Sequence, residues 1–230
     1  MKIDDIRQAV YPLLVIPQNK PLFDGSTRKP AIVKQMIRAI IFDCFGVLIS
    51  DALEVMIAEL RDNQPEVAEQ IVATVHLASR GEISRQESSE NIAGLLGISV
   101  DAYVSRIKNG EVKNHELLDY ILELRKTYKT GLLSNISIGG LATRFGPGEL
   151  ANYFNAVVAS GEIGYAKPEA QAYEIVADRL GVRLDECIFI DDREDYCTGA
   201  KGVGMQAILY RSFSQMKPEL DRLCSSGAGA

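Results

Sequence analysis

The stretch that most constrains the fold of this chain runs from Ile37 to Leu48. It opens as a short apolar run rich in β-branched residues, breaks at Asp43, and has Gly46 three residues later. A run of this length suits a buried parallel strand and is too short for most helices. Ligands of open α/β sheets bind outside the carboxyl ends of the strands, so Asp43 would lie where such a site forms. Aspartate also caps helices often, and this stretch alone fits either role.

The rest of the chain divides into a helical part and an alternating part. Residues 51–127 have helical periodicity throughout, with no strand pattern between the helices. Short apolar runs then resume at residues 131–135, 156–159, 187–190 and 205–210, with helical segments between them. This alternation predicts an α/β fold, a Rossmann-like parallel sheet flanked by helices, with a small helical bundle inserted after the first strand.

We therefore expect three parts. Residues 1–35, punctuated by prolines at 12, 17, 21 and 30, form an N-terminal extension. Residues 36–50 and 128–230 form the α/β core. Residues 51–127 form the inserted helical unit.

Composition narrows the classes of function. The net charge of -6 argues against a nucleic-acid-binding or anionic-membrane surface, since either would need a basic face. No apolar run approaches the roughly 20 residues of a membrane helix, and the N-terminus does not resemble a signal peptide. The four cysteines lack the spacing of metal-binding motifs, and we expect them to be reduced thiols. Because thiols stay reduced in the cytoplasm, we expect a cytoplasmic protein. Nothing in the sequence indicates an oligomeric state.

Polar residues end three of the predicted strands: Asp43, Ser134, and the pair Asp191 and Asp192. Helix capping explains any one of these, but it explains all three together less well, because parallel strands bring these ends to one edge. Lys167 follows a fourth strand and would balance the carboxylates. Carboxylates suit Mg²⁺, whereas a hydroxyl, backbone N–H groups and a lysine suit phosphoryl oxygens. The set therefore predicts a site for a cation and an anion.

The same residues carry a family resemblance. The sequence resembles the haloacid dehalogenase (HAD)-like hydrolase superfamily, in subfamily I with a helical C1-type cap, and is similar to sugar-phosphate phosphatases of that branch. Four motifs appear in order, at residues 42–48, 133–135, 167–169 and 189–192. Each is weak alone, and their order is the stronger signal. The resemblance covers roughly residues 37–212, and it makes the helical insert the cap.

The resemblance implies a role for each motif residue. Asp43 would be the nucleophile that attacks phosphorus and forms an aspartyl phosphate, which divides one difficult displacement into two. Ser134 and the backbone of Asn135 would bind the phosphoryl group of a small phosphorylated metabolite, for which a sugar phosphate is one candidate. Lys167 would neutralise the nucleophile and the transition state. Asp192 would bind Mg²⁺ directly, and Asp191 would act through water or as a second ligand. Asp43 and the backbone carbonyl of Phe45 would complete the protein's share of the metal site.

Phe45 departs from the family pattern. Phosphatases of the superfamily usually have a second aspartate there as general acid and base, and proton transfer by such a group contributes about 100- to 10000-fold. Three interpretations remain: a sugar-phosphate phosphatase that lacks this aspartate, a haloacid dehalogenase, and a degenerate hydrolase that acts as a binding module. Dehalogenases of the superfamily need no metal, and adjacent carboxylates at 191 and 192 would repel each other without a cation. The acidic pair therefore favours phosphoryl transfer.

Overall fold

The structure is a computed structural model that describes residues 36–226. The predicted N-terminal extension, residues 1–35, lies outside the described residues. In the described part of the chain, five parallel strands form one sheet in the order β3-β2-β1-β4-β5. The strands are β1 (Ala39–Phe42), β2 (Lys129–Ser134), β3 (Ala156–Ala159), β4 (Cys187–Asp191) and β5 (Gln206–Leu209). The predicted α/β fold with a parallel sheet is confirmed.

Ten α-helices accompany this sheet within residues 36–226. Five of them lie between β1 and β2 in the chain, and the first four are α1 (Ala52–Asn63), α2 (Pro65–Ser79), α3 (Arg85–Leu96) and α4 (Val100–Gly110). The others are α5 (His115–Leu124), α6 (Glu149–Tyr153), α7 (Ser160–Ile163), α8 (Ala170–Leu180), α9 (Glu194–Gly202) and α10 (Phe213–Ser226).

Strand β1 is buried on both faces, as its continuous apolar sequence predicts. Ile40 and Phe42 belong to the apolar cluster on one face, together with residues of α5 and α10. Ala39 and Ile41 belong to the cluster on the other face, which includes residues of α8 and α9. Helices therefore cover both sides of the sheet and leave its carboxyl edge for the loops.

Helices α1 to α4 share an apolar cluster of their own. Their boundaries follow the chemistry of their ends. Pro65 occupies the first turn of α2, where its missing N–H has no helical partner to lose. The Ser84 hydroxyl accepts a hydrogen bond from the Glu87 N–H at the start of α3, and Gly97 ends that helix in the left-handed conformation.

Helix α5 packs differently from the preceding four helices, although residues 51–127 were expected to form one inserted unit. Its buried residues Leu117, Leu118 and Ile121 lie in the same cluster as Ile40 and Phe42 of β1, not in the cluster of α1 to α4. The strongly amphipathic pattern predicts a helix but not the surface against which it packs. We therefore propose that the inserted unit ends before α5 and that α5 belongs to the core.

Helix α10 was not predicted. Met216 and Leu220, four residues apart, are fully buried against the sheet, and Pro218 lies inside the helix. A proline within a helical pattern obscures the periodicity from which the helix could have been recognised. No helix among residues 36–226 is long and apolar enough to span a bilayer.

Candidate active site

Asp43 lies directly after the central strand of the sheet. From β1 the chain continues through β2 and β3 on one side, and then crosses to β4 and β5 on the other. The Asp43 N–H donates to the carbonyl oxygen of Ile190 in β4 at 2.9 Å, which continues the β1–β4 ladder by one residue. This is the switch point of an open α/β sheet, where the flanking loops diverge and leave a crevice.

Three carboxylates meet in this crevice. Asp43, Asp191 and Asp192 each offer one oxygen, and these three oxygens lie within 4.8 Å of one another. Burial, and next the charge of Asp191, raise the pKa of Asp43 to about 8 and that of Asp192 to about 6. Burial and the charge of Asp191 thus disfavour the ionised forms of Asp43 and Asp192, and a bound cation would favour them. A cluster of oxygen donors is compatible with a divalent metal of the Mg²⁺ type.

Lys167 is the buried counter-charge of this cluster. Its Nζ lies 2.6 Å from Asp43 Oδ1 and 2.7 Å from Asp191 Oδ2. Burial disfavours the ammonium, but the charges of Asp191 and Asp43 outweigh it and raise the pKa of Lys167 above its usual value. When all four groups are ionised, the cluster retains two negative charges, which one divalent cation would balance. The donor set therefore fits such an ion in charge as well as in ligand type.

Asn135 holds the Lys167 loop in place. Its Nδ2 donates to the Lys167 carbonyl oxygen at 2.9 Å, and its Oδ1 accepts from the Lys167 N–H at 2.8 Å. The same Nδ2 donates to the Tyr196 hydroxyl at 3.1 Å, and the Tyr196 ring centroid lies 4.9 Å from Lys167 Nζ. Sequence reasoning assigned only the Asn135 backbone a function and missed this side-chain clamp, and it also missed Tyr196, for which no motif gave a signal.

Ser134 ends β2 with a hydroxyl that lacks a partner. The side chain is fully buried, and its Oγ has no hydrogen bond within the described chain. Strand register places Ser134 one residue beyond the level of Asp43. A buried hydroxyl without a partner costs about 1 to 3 kcal/mol, so it is rarely retained without a reason. A phosphoryl oxygen is one acceptor that would remove this cost.

Gly46 leaves room for the Asp192 carboxylate because it has no side chain. The backbone of Gly46 has φ +79°, and a Cβ built there would lie 2.1 Å from Asp192 Oδ2. Any residue with a side chain would therefore be strained and would also displace Asp192. The sequence shows the glycine, but it does not show that Gly46 accommodates the carboxylate of Asp192, which follows β4 and lies 146 residues later in the chain.

The Phe45 side chain lies on the cavity beside the carboxylates and carries no proton donor. Its ring centroid is 5.2 Å from the guanidinium carbon of Arg144. Arg144 in turn donates from Nη2 to Glu111 Oε1 at 2.6 Å, with further contacts from Nε at 3.1 Å to both carboxylate oxygens. This half-buried pair joins the loop after β2 to the end of the helical insert. No motif marked either residue.

A cavity of about 520 Å³ lies over this edge of the sheet. Asp43, Phe45, Lys167 and Asp192 line it from the core, and all four helices α1 to α4 line it from the insert. The structure thus brings Asp43, Lys167, Asp191 and Asp192 together, with Asn135 and Ser134 beside them and Phe45 at the cavity. The chemical roles of these residues, including that of the Phe45 carbonyl, remain predictions.

Known proteins resemble the chain in sequence and in fold. A phosphatase of Mycobacterium tuberculosis is 35% identical over 103 residues, which cover 44% of this chain and 48% of that protein, so the match spans about half the relative's length. A HAD-like family hydrolase from Porphyromonas gingivalis is 27% identical with a TM-score of 0.66, covering 82% of this chain and 98% of that one. A HAD family enzyme from Bacteroides thetaiotaomicron, solved with magnesium and inorganic phosphate, has a TM-score of 0.65.

The Bacteroides enzyme is 24% identical, covers 78% of this chain and 98% of its own, and shows the fold alone. The family of haloacid dehalogenase-like hydrolases matches residues 37–204, from the strand before Asp43 to the turn before β5. That stretch contains the carboxylate cluster, Lys167 and the helical insert. Because the match extends over most of the chain and includes all four motifs, the chain belongs to the haloacid dehalogenase-like hydrolase family.

Proposed function

We propose that the protein is a Mg²⁺-dependent hydrolase of small phosphomonoesters that acts through an aspartyl phosphate on Asp43. The observation that carries this proposal is the buried Lys167 bridge between Asp43 and Asp191, beside a three-carboxylate cluster. Two similarities support it: the M. tuberculosis relative is a phosphatase, and the B. thetaiotaomicron enzyme of similar fold was solved with magnesium and inorganic phosphate.

In the proposed reaction, a carboxylate oxygen of Asp43 attacks phosphorus and the ester oxygen leaves with the bonding electron pair. Lys167 holds the nucleophile and offers positive charge to the phosphoryl oxygens, while the Ser134 hydroxyl donates to one of them. When bound, Mg²⁺ would be held by Asp43, Asp192, the Phe45 carbonyl and Asp191, and would offset the charge on the phosphoryl group. Water then attacks the aspartyl phosphate, which releases inorganic phosphate and restores Asp43.

Phe45 determines which leaving groups this site handles well. No carboxyl occupies position 45, so the departing oxygen must take its proton from water. Activated esters, whose leaving groups need no proton, should therefore react faster than ordinary alkyl esters. For equally well bound substrates, kcat is therefore expected to be lower for an alkyl ester than for an activated ester.

The aromatic Phe45 also favours a second candidate, halide displacement from a 2-haloacid, because a halide leaves without a proton. The adjacent carboxylates of Asp191 and Asp192 argue against halide displacement. Two negative charges side by side repel each other, and a reaction that uses no metal has no need of them. A degenerate binding module is the third possibility. Within residues 36–226, the Phe45 ring lines the cavity of about 520 Å³ over the carboxylates but does not fill it. The open cavity favours a site that admits a substrate over a degenerate one.

The test is hydrolysis of para-nitrophenyl phosphate with Mg²⁺ and with EDTA, in the parent protein and in Asp43→Asn. We expect Mg²⁺-dependent release of phosphate that Asp43→Asn abolishes. The matched control is Asp119→Asn, an equivalent change on the exposed face of α5, which should leave the rate unchanged. Turnover that persists in EDTA or in Asp43→Asn would overturn the mechanism, and halide release from 2-haloacids without metal would replace it by the second candidate.

A further inference from the structure

The cavity above Asp43 continues between the helices of the insert. Each of the four helices contributes an aliphatic side chain to its wall: Ile57 from α1, Val75 from α2, Ile92 from α3 and Ile107 from α4. Its volume of about 520 Å³ lies within the usual range of small-molecule sites, roughly 300 to 1000 Å³. Helices that pack around a common axis normally fill the space between them. Here they leave room for a ligand.

Charge and burial divide this wall into two zones. Ile57, Ile92 and Ile107, with Tyr103, are buried, being between 1% and 8% exposed. The charged and imidazole side chains that the same helices place along the cavity are all exposed: Glu54, Arg61, His76, Arg85 and Lys108. The buried hydroxyls of Ser79 and Ser88 also line the cavity. The rest of the buried wall that these helices contribute is aliphatic or aromatic, and the charges lie where they remain hydrated.

The cavity is also elongated. Asp51, the N-cap of α1, lines it close to the catalytic edge, and Leu53, Ile57 and Arg61 line it at four-residue spacing along one face of that helix. With a rise of about 1.5 Å per residue, the step from Asp51 to Ile57 extends about 9 Å. Arg61 adds less length than its position suggests, because its Nη1 donates back to Glu54 Oε1 at 2.9 Å. A small phosphorylated molecule would occupy only the end next to Asp43.

We propose that the substrate is a phosphomonoester whose organic group is an extended apolar chain. The phosphoryl group lies at Asp43 and Lys167, and the chain lies along Ile57, Ile92 and Ile107. This inference rests on the proposed phosphatase function and names its substrate class. A sugar phosphate fits less well, because the buried wall of α1 to α4 offers few hydrogen-bond partners for its hydroxyls, chiefly the hydroxyls of Ser79, Ser88 and Tyr103.

The first experiment compares kcat/KM for methyl, butyl, octyl and decyl phosphate with that for fructose 1-phosphate, all below the micellar concentration and with Mg²⁺. Each methylene that leaves water should raise kcat/KM by about fourfold until the cavity is full. A flat dependence on chain length would overturn the inference, as would a sugar phosphate that exceeds decyl phosphate. Either result would leave the proposed phosphatase function intact.

The second experiment shortens the cavity. Val75 is half-buried on its wall, so Val75→Phe should lower kcat/KM for decyl phosphate at least tenfold and change that for methyl phosphate little. Val55→Phe adds the same volume at a position of α1 that is 60% exposed and does not line the cavity, and it should change neither value. Equal effects of the two variants on decyl phosphate would contradict the proposed location of the chain.

A binding measurement separates the two proposals. Alkylphosphonates keep the head group but cannot be hydrolysed, and their affinity is measured by calorimetry with Mg²⁺. If no ester is hydrolysed, the phosphatase proposal fails, and chain-length-dependent phosphonate affinity that Val75→Phe removes would still support an apolar-chain site. Affinity that is independent of chain length would overturn the apolar-chain inference by itself.

Discussion

Replacing Gly46 by alanine should separate the stability of the fold from the integrity of the candidate site. Two effects act at this position. The backbone has φ +79°, where a Cβ costs about 1 to 2 kcal/mol. In addition, the new Cβ would lie 2.1 Å from Asp192 Oδ2, whereas ordinary contacts begin near 3.4 Å. The carboxylate must therefore move by more than an ångström, or the loop must deform.

The two effects have different magnitudes and different consequences. The strain should lower the free energy of unfolding by about 1 to 2 kcal/mol, which most domains survive. The displaced Asp192 should weaken Mg²⁺ binding by roughly 10- to 100-fold, as misplaced supporting groups do at metal sites. Misplacement by about 1 Å can also reduce turnover by roughly 100-fold. We therefore expect a folded protein with a severely impaired site.

Gly148 offers a matched control. Its φ is +74°, and a Cβ there would meet nothing within 4 Å, so Gly148→Ala carries the strain without the collision. Both variants would be measured by urea denaturation, Mg²⁺ calorimetry and hydrolysis of para-nitrophenyl phosphate. Gly148→Ala should lose similar stability and keep Mg²⁺ affinity and turnover. If Gly46→Ala also binds Mg²⁺ as the parent does, then Asp192 is not the metal ligand or the collision is relieved elsewhere, and the reasoning fails.

Three further changes test individual groups. Ser134→Ala should leave the free energy of unfolding unchanged or raise it by up to about 1 kcal/mol, because the buried hydroxyl has no hydrogen-bond partner among the described residues. The same change should weaken the binding of inorganic phosphate, measured by calorimetry. An unchanged affinity would show that Ser134 does not bind phosphate. Phe45→Asp should raise the turnover of alkyl phosphates more than that of aryl phosphates. General acid catalysis contributes about 100- to 10000-fold, which sets the upper bound of the gain. An equal gain for both kinds of ester would show that position 45 does not transfer protons. Glu111→Leu should destabilise the protein by about 3 kcal/mol in urea denaturation, because it leaves the half-buried Arg144 without a counter-charge. Glu123→Gln, in an exposed ion pair, should cost under about 1 kcal/mol, and similar losses for the two variants would contradict the importance of burial.

Local pattern was sufficient for most elements of the fold. The strand before Asp43, the start of α2 at Pro65, and the caps of α3 at Ser84 and Gly97 all follow from neighbouring residues. Such features depend on hydrogen bonds and sterics within a few positions, which the sequence displays directly. Helix α10 was missed because Pro218 interrupts its pattern, and only packing against the sheet compensates for that residue.

Position along the chain also determined much of the candidate site. Parallel strands must bring their carboxyl ends to one edge, so the order of strands and helices was enough to group Asp43, Ser134 and Asp191. Sequence alone therefore determined the fold class, the edge at which the site forms, and the polar residues that reach it.

Tertiary structure decided which long-range neighbours these residues have. Three contacts join distant segments of the chain. Lys167 forms ion pairs with Asp43 and Asp191, and Arg144 pairs with Glu111. Gly46 leaves room for the Asp192 carboxylate. The tertiary structure also decided that α5 packs on the sheet and that α1 to α4 line the cavity over Asp43. An amphipathic pattern fixes which face of a helix is buried, but its partner depends on the packing of all the other elements, which no local pattern encodes.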